Sequence, residues 1–368
     1  MRVLILMSDT GGGHRAAANA LRAEIARARP EAEVTIVDAL VEGCPFPLSR
    51  APGIYAFGMK HLRWLWGLCF HLSNGPVRAA LSARVGYLSN ARGLKALLRR
   101  HPADLVISTH PLLTHQVHWA MRAIGHKAPF AVVVTDLVTG HWTWYSRGPD
   151  LYCVPTAEAR DIMVRGGMDA ARIQVCGQPV PPVFPALRME RDALRRARGF
   201  DRPVILMLGG GDGVGELGRF ARAVVAAPLG ARIEVVCARN SALRDELNAA
   251  QLGAHVHIHG FVNDLPELMV ASDILVTKGG PGSIMEGCAA GTPMLIFDWI
   301  PGQERGNVDL ALRRGFGRVA TSPNRLVTEL QQLLQDEALR ARMSAAALAA
   351  SIPDSSARIA AALLARLH

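Results

Sequence analysis

Between Gly43 and Ala103 the chain contains no aspartate and no glutamate, although acidic residues are spread through the rest of its 368 positions. Other absences narrow the reading. No Asp-x-Asp occurs anywhere, so the usual carboxylate pair for a metal bridging a nucleotide diphosphate is missing and metal-independent chemistry is expected. The six cysteines, at 44, 69, 153, 176, 237 and 288, form no Cys-x-x-Cys and no finger-like Cys/His spacing, and most sit in apolar surroundings as reduced buried thiols do. No window approaches the roughly 18 uninterrupted apolar residues of a membrane span. The short apolar run at the N-terminus passes into Gly-Gly-Gly-His, which fits a strand entering a loop better than a signal-peptide cleavage region, so the protein is expected to stay in the cytoplasm. The formal charge is +10, yet no recognition helix, zinc finger or RNA-binding aromatic motif accompanies it, so nucleic acid is not an expected partner. His255, His257 and His259 alternate along a predicted strand without a nearby cysteine or carboxylate pattern, which reads as a half-solvated strand and not as a metal site.

Half of the residues are hydrophobic, and the length leaves room for two domains. Residues 3–7 read as a buried strand, followed by Ser8-Asp-Thr-Gly-Gly-Gly-His-Arg15, a helix over 16–29 and a returning strand at 34–38. This β–loop–α–β unit opens an α/β domain. Its loop is neither a Walker A loop, lacking Gly-Lys-Ser/Thr, nor a Gly-x-Gly-x-x-Gly turn. Further strands are predicted at 105–108, 130–135, 151–154 and 173–176, each ending near polar residues. His110, Asp136, His141 and Trp144 thereby join His14 on one rim of the first sheet. A proline-rich stretch over 177–185 is a stiff linker, and a second α/β series follows from residue 203. The expected division is 1–186, 187–345 and a terminal helix over 346–368.

The stretch Thr277–Asn307 concentrates the chemistry. An apolar strand runs into Gly279, Gly280 and Gly282, and a helix starting near Ser283 carries Glu286. Glycines at a strand's carboxyl end let backbone N–H groups approach a phosphate, and the helix N-terminus adds its partial positive charge. A second strand then leads into Pro301-Gly-Gln-Glu-Arg-Gly-Asn307, placing Gln303, Glu304 and Asn307 beyond the same sheet edge, where ligands of doubly wound domains sit. Phosphate donors beside amide and carboxylate side chains suit a nucleotide-sugar. The bland alternative is a glycine turn followed by an ordinary polar surface loop.

The order strand, Gly-Gly-Pro-Gly-Ser, Glu, strand, Gln-Glu-x-Gly-Asn resembles the donor-sugar region of family 28 glycosyltransferases. Together with SDTGGGHR and VTDL followed by HWTW, the PGQERGN loop is similar to that of monogalactosyldiacylglycerol synthases, and the likeness runs along nearly the whole chain in order. It implies the GT-B architecture, two Rossmann-like doubly wound domains facing across a cleft, with the last helix crossing back to the first. It implies an inverting transfer of galactose or glucose from a UDP-sugar to the hydroxyl of diacylglycerol. By the resemblance His14 is the general base, as an ordinary imidazole with pKa about 6.5 suits near neutrality, and Gly12, Gly13, His110, His141 and Trp144 stand on the acceptor side. Asp136 is read either as the partner of His14, or as an acceptor contact, or as a turn cap. On the donor side the resemblance places Gly210 and Gly211, Phe261 and Val262 at the uracil, Gly280, Gly282 and Ser283, Glu286 at the ribose, Gln303 and Glu304 at the sugar hydroxyls, and Asn307.

The acid-free segment contains Lys60-His-Leu-Arg-Trp-Leu-Trp at its middle. Tryptophan favours the water–lipid boundary and basic residues favour anionic headgroups, so Lys60, Arg63, Trp64, Trp66 and Arg78 are expected to dock on an anionic membrane surface from the cytoplasmic side. The competing reading packs the tryptophans into the core and leaves the arginines merely solvated. Three rivals to the whole reading stand. One is transfer of N-acetylglucosamine to a prenyl-diphosphate lipid, against which SDTGGGHR and HWTW argue. Another is a UDP-sugar 2-epimerase, which has no use for the basic-aromatic segment. The third is a non-enzymatic lipid-surface protein.

Overall fold

The computed structural model describes residues 1–209, 216–250 and 252–367, with the Lys60 side chain outside the description. The chain divides into two compact units, one of residues 1–180, 301–303 and 354–368, the other of residues 181–300 and 304–353.

The first unit is built on six parallel strands, β1 (Arg2–Met7), β2 (Glu33–Asp38), β3 (Leu105–Ser108), β4 (Phe130–Val133), β5 (Leu151–Val154) and β6 (Ile173–Val175), in the order β2-β1-β3-β4-β5-β6. β3, β4 and β5 are buried at every position, the mark of a parallel sheet covered on both faces. Helix α1 (Gly13–Ala28) covers one face, where Leu21 and Ile25 join Val3, Ile5 and Ile107. The terminal helix Ser355–Leu364 packs beside α1 and buries Ile359, Ala360 and Leu363 in the same cluster. Its Ser355 and Ser356 hydroxyls donate to the Gln178 and Val180 carbonyls at 2.6 Å. Further helices of this unit include α2 (Ala51–His61), α3 (Arg63–Ser73), α4 (Pro76–Arg100) and α5 (Pro111–Ala123). Leu94, Leu97, Leu113 and Val117 of α4 and α5 fill the other face of the sheet. A buried amide pair ties these two helices, Asn90 donating to Gln116 at 2.8 Å.

Connectivity fixes where a ligand belongs. The chain leaves β1 to form β2 on one side, then returns to form β3 on the other side of β1. The loops leaving β1 and β3 therefore diverge and open a crevice at the carboxyl ends of these strands.

The second unit repeats the scheme with β7 (Val204–Leu208), β8 (Arg232–Val236), β9 (Val256–His259), β10 (Ile274–Lys278), β11 (Met294–Asp298) and β12 (Gly317–Val319), all parallel in the order β12-β11-β10-β7-β8-β9. Its switch point lies between β7 and β10. Helix α6 (Pro281–Ala290) follows β10, and α7 (Arg305–Arg314) follows β11. Gly210 and Gly211, expected on the loop after β7, lie outside the described residues. Two α/β units are what the strand pattern predicted, and doubly wound ones are what the resemblance implied. The edge strand β9 is half-buried throughout, and its His259 is bound to the Glu234 carboxylate.

Candidate functional site

The crevice of the first unit is assembled by the loop after β1. The Ser8 hydroxyl and the Asp9 N–H both donate to the Asp38 carboxylate, at 3.3 and 2.9 Å, pinning the loop to the end of β2. Gly11 (φ 91°) and Gly12 (φ 73°) then turn the chain through the left-handed region that favours glycine. A Cβ on Gly11 would also lie 3.0 Å from the Tyr55 hydroxyl oxygen. Gly12 caps α1, so His14 falls in its first turn. The His14 Nδ1–H meets the Thr109 carbonyl at 2.6 Å, which leaves Nε2 as the nitrogen with a lone pair. His110, at the start of α5, accepts the Leu112 N–H on Nδ1 at 3.3 Å and engages Thr10 Oγ1 through Nε2 at 2.9 Å. The two rings stand 4.5 Å apart between centroids.

Desolvation decides the charge of this pair. Part of the His14 ring surface remains open, but the atoms packed around it withdraw it from water and push its pKa down to about 4, against the raising effects of the Thr109 carbonyl and of Asp9. This corrects the expectation of an ordinary imidazole. Burial, with His14 as a like-charged neighbour, holds His110 well below the usual range as well. Both are neutral near pH 7.

Asp136 is buried and accepts the Trp144 Nε1–H at 2.7 Å. Trp144 has no exposed surface and belongs to the core, so it is a support for Asp136 and not the acceptor contact expected of it. The group orienting the His14 Nδ1 is the Thr109 carbonyl and not Asp136. The carboxylate whose charge acts on His14 is Asp9, held by Arg15 through two bonds of 2.6 Å. His141 accepts the Thr143 N–H on Nδ1 at 3.2 Å, and its Nε2 meets Ser73 Oγ at 3.1 Å. With the Trp142 N–H donating to Asn74 Oδ1 at 3.0 Å, His141 clasps the end of α3 to the loop after β4.

These groups surround a cavity of about 370 Å³. The first turn of α1 contributes His14 and strand-end loops His110, Asp136 and His141, while Leu48, Ile54, Tyr55, Trp66 and Phe70 make most of the rest apolar. Gln303, expected at a sugar, groups with the first unit and also lines this cavity. Trp66 is therefore not a membrane anchor: it turns inward, edge-on to Tyr55 at 5.3 Å. Trp64, by contrast, is 69% exposed. Arg63 is half-buried, and Arg78 donates to the Asn74 carbonyl at the end of α3.

Among the described residues, most of the exposed large apolar side chains fall between Val41 and Leu88. Val77, Leu81, Val85 and Leu88 form one stripe of α4, and Trp64, Leu65, Leu68 and Leu72 one stripe of α3. Contiguous exposed apolar stripes on a folded protein mark candidate interaction surfaces.

In the second unit, α6 starts at Pro281 with Gly280 as its cap and Ser283 half-buried in its first turn. The glycine that packing demands is Gly279, where a Cβ would lie 2.9 Å from the Trp299 Cβ, whereas one on Gly282 would meet nothing. The Asn307 Nδ2 donates to the Gly279 carbonyl at 2.9 Å, and Glu304 accepts the Ile300 N–H at 2.8 Å. Both are buried and brace the loops around Gly279 and Ile300. Desolvation raises the Glu286 pKa to about 7. Phe261 and Val262 follow β9, with the Phe261 ring exposed. Among the described residues no three His, Cys, Asp or Glu side chains gather as metal ligands would.

A family model described as monogalactosyldiacylglycerol (MGDG) synthase matches residues 14–180, and one described as glycosyl transferases group 1 matches residues 236–349. A probable chloroplastic monogalactosyldiacylglycerol synthase of Glycine max is 34% identical, over 94% of this chain and 69% of its own length. Monogalactosyldiacylglycerol synthase 3 of Arabidopsis thaliana is 36% identical, over 87% of this chain and 71% of its own. Among solved structures, MurG of Acinetobacter baumannii superposes with a TM-score of 0.64 at 14% identity, covering 99% of both chains, a likeness of GT-B fold.

Proposed function

Because the chain belongs to the monogalactosyldiacylglycerol synthase family of GT-B glycosyltransferases, we propose that it moves a hexose, galactose or glucose, from a UDP-sugar to the free hydroxyl of 1,2-diacylglycerol at a membrane surface. The relatives' printed names favour galactose. The observation that carries the acceptor is the apolar cavity bordered by His14. A polyol or peptide acceptor has no use for walls of leucine, isoleucine, tyrosine and tryptophan, and an epimerase takes no second substrate. Among the described residues no helix is long and apolar enough to cross a membrane, and the exposed stripes of α3 and α4 support peripheral docking.

In the chemistry we propose, His14 Nε2 takes the hydroxyl proton as the oxygen attacks the anomeric carbon, and UDP leaves from the opposite face, giving a β-linked product from an α-linked donor. The imidazolium formed in that step is favoured by the Thr109 carbonyl and by Asp9. Backbone N–H groups at the start of α6 receive the leaving diphosphate, and the helix dipole adds to them. Glu286, one turn further along α6, is assigned to the ribose.

The two shifted groups give two separate acid limbs to the pH dependence, one in the acceptor step and one in donor binding. A base must be unprotonated to act, so with donor saturating, kcat/KM for the acceptor stays level as pH falls through 6.5 and declines only near the His14 value of about 4. Glu286 must be ionised to accept from ribose hydroxyls, so UDP-sugar affinity weakens as pH falls through about 7, and Glu286→Gln removes that limb. An acceptor profile that breaks at 6.5 would show an imidazole in water. The reading itself is tested by incubating the protein with diacylglycerol vesicles and each UDP-sugar separately, with and without a strong chelator, and identifying the lipid product. Formation of a β-glycosyldiacylglycerol that survives chelation is expected. No glycolipid from any donor would overturn the reading, and activity lost to chelation and restored by Mg²⁺ would overturn the metal-free chemistry.

A further inference from the structure

The cavity beside His14 contains one buried donor with nothing to donate to. Trp66 lines it, and its indole N–H is buried without a hydrogen-bond partner among the described residues. Neighbouring polar groups of the wall are engaged: His110 Nε2 with Thr10, His141 Nε2 with Ser73, and the Ser73 hydroxyl with the Cys69 carbonyl. Folded proteins pair nearly all such groups, and a lone exception at a binding cavity points to a partner outside the chain. An indole N–H donates and cannot accept, so that partner is an acceptor oxygen.

A diacylglycerol carries two ester carbonyls within a few bonds of the hydroxyl that reaches His14. A dialkylglycerol of the same chain lengths has the same hydroxyl and the same apolar bulk, but only ether oxygens, which are weak acceptors in a crowded site. We infer that Trp66 is a specificity-determining residue that reads an ester carbonyl of the acceptor lipid, an inference that rests on the diacylglycerol reading above. The Trp66 ring lines the cavity and stands edge-on to Tyr55, and the inferred contact requires that ring to turn so that its buried N–H meets the lumen. With Trp66 paired in this way, the lipid is held by its backbone as well as by its chains, and the hydroxyl has a fixed distance to reach Nε2.

The test uses the full chain in detergent micelles, which removes vesicle docking from the comparison, with UDP-galactose saturating and matched dioleoylglycerol and dioleylglycerol (the diether) as acceptors. The wild type is expected to prefer the ester by about tenfold in kcat/KM, the worth of one hydrogen bond to a buried donor. Trp66→Phe keeps the apolar ring and removes the donor. It should lower the ester value about tenfold more than the ether value, mainly through KM, so that the ester preference disappears. Both acceptors are assayed on one preparation, so a poorly folded variant lowers the two together, and that result counts against the inference. A wild type that uses ester and ether equally overturns the role of Trp66 while the diacylglycerol reading stands. A wild type that glycosylates neither lipid, with UDP-glucose as well as with UDP-galactose, overturns both.

Discussion

His14→Ala lowers kcat by about a thousandfold, the usual scale of a lost general base, and lowers kcat/KM by the same factor because the interaction is made only in the transition state. Vesicle binding and UDP-sugar affinity stay as in the wild type, since neither the exposed stripes nor α6 involves this ring. Two comparisons separate a base from a residue that merely holds the loop. Asp9→Asn removes the charge that favours the imidazolium while keeping an amide near Arg15, so it costs about tenfold and moves the acid limb of the acceptor profile further down. Asp136→Asn keeps a hydrogen-bond acceptor for the Trp144 indole and leaves the limb in place. Steady-state rates with saturating donor, measured beside thermal unfolding of each variant, decide the matter. A His14→Ala protein that retains most of its turnover would remove His14 from the chemistry, and an Asp136→Asn protein that shifts the acid limb would restore Asp136 as its partner.

The strands were legible because parallel sheets covered on both faces require unbroken apolar runs, and this chain has them from residue 3 to residue 298. The ends of those runs located His14, His110 and Glu286 at the two switch points for the same reason. What was not legible depended on tertiary neighbours. Nothing local to Ser8–Arg15 says that packing will drop the His14 pKa to about 4, or that a carbonyl 95 residues away will choose its tautomer. The tryptophans show the same limit in one residue type: Trp144 is core, Trp66 lines the cavity and Trp64 faces solvent. Here a signal was present. Trp64 and Trp66 are two apart on one helix, and residues at that spacing never share a face, so the two never had one role. Asp9 and Arg15 also stood inside the quoted motif, but their pairing across a glycine turn appears only once Gly11 and Gly12 adopt positive φ. For Glu304 and Asn307, polar character was legible and direction was not: both turn inward to hold the loops around Gly279 and Ile300.

Replacing Val77, Leu81, Val85 and Leu88 together by serine should lower vesicle affinity by about three orders of magnitude, because burying large apolar side chains in lipid contributes about 1 kcal/mol or more each. These four are 77%, 62%, 61% and 82% exposed in the folded protein, so the fold does not depend on them, and thermal stability is expected to hold or rise. The inner side of α4 is made by Ala79, Ala83, Asn90, Leu94 and Leu97, which the changes leave alone. Salt then distinguishes the two ways of docking. Attraction between basic residues and anionic lipid is worth on the order of 1 kcal/mol per residue near the surface and is screened within about 10 Å at 0.1 M salt. Apolar insertion is not screened. With Arg63 half-buried and Arg78 tied to the Asn74 carbonyl, charge is expected to be the smaller contribution to the proposed docking, a reversal of the weight that the acid-free stretch suggested. The serine variant is therefore expected to lose binding to neutral and anionic vesicles alike, at low and high salt. The Lys60, Arg63 and Arg78 to glutamine variant should lose affinity only for anionic vesicles at low salt. Both should keep normal rates on acceptor presented in detergent, since neither change touches His14 or the cavity wall. Sedimentation with vesicles across a salt series reads the difference directly. If the serine variant sediments like the wild type while the glutamine variant does not, docking is Coulombic and the exposed stripe of α4 has another purpose.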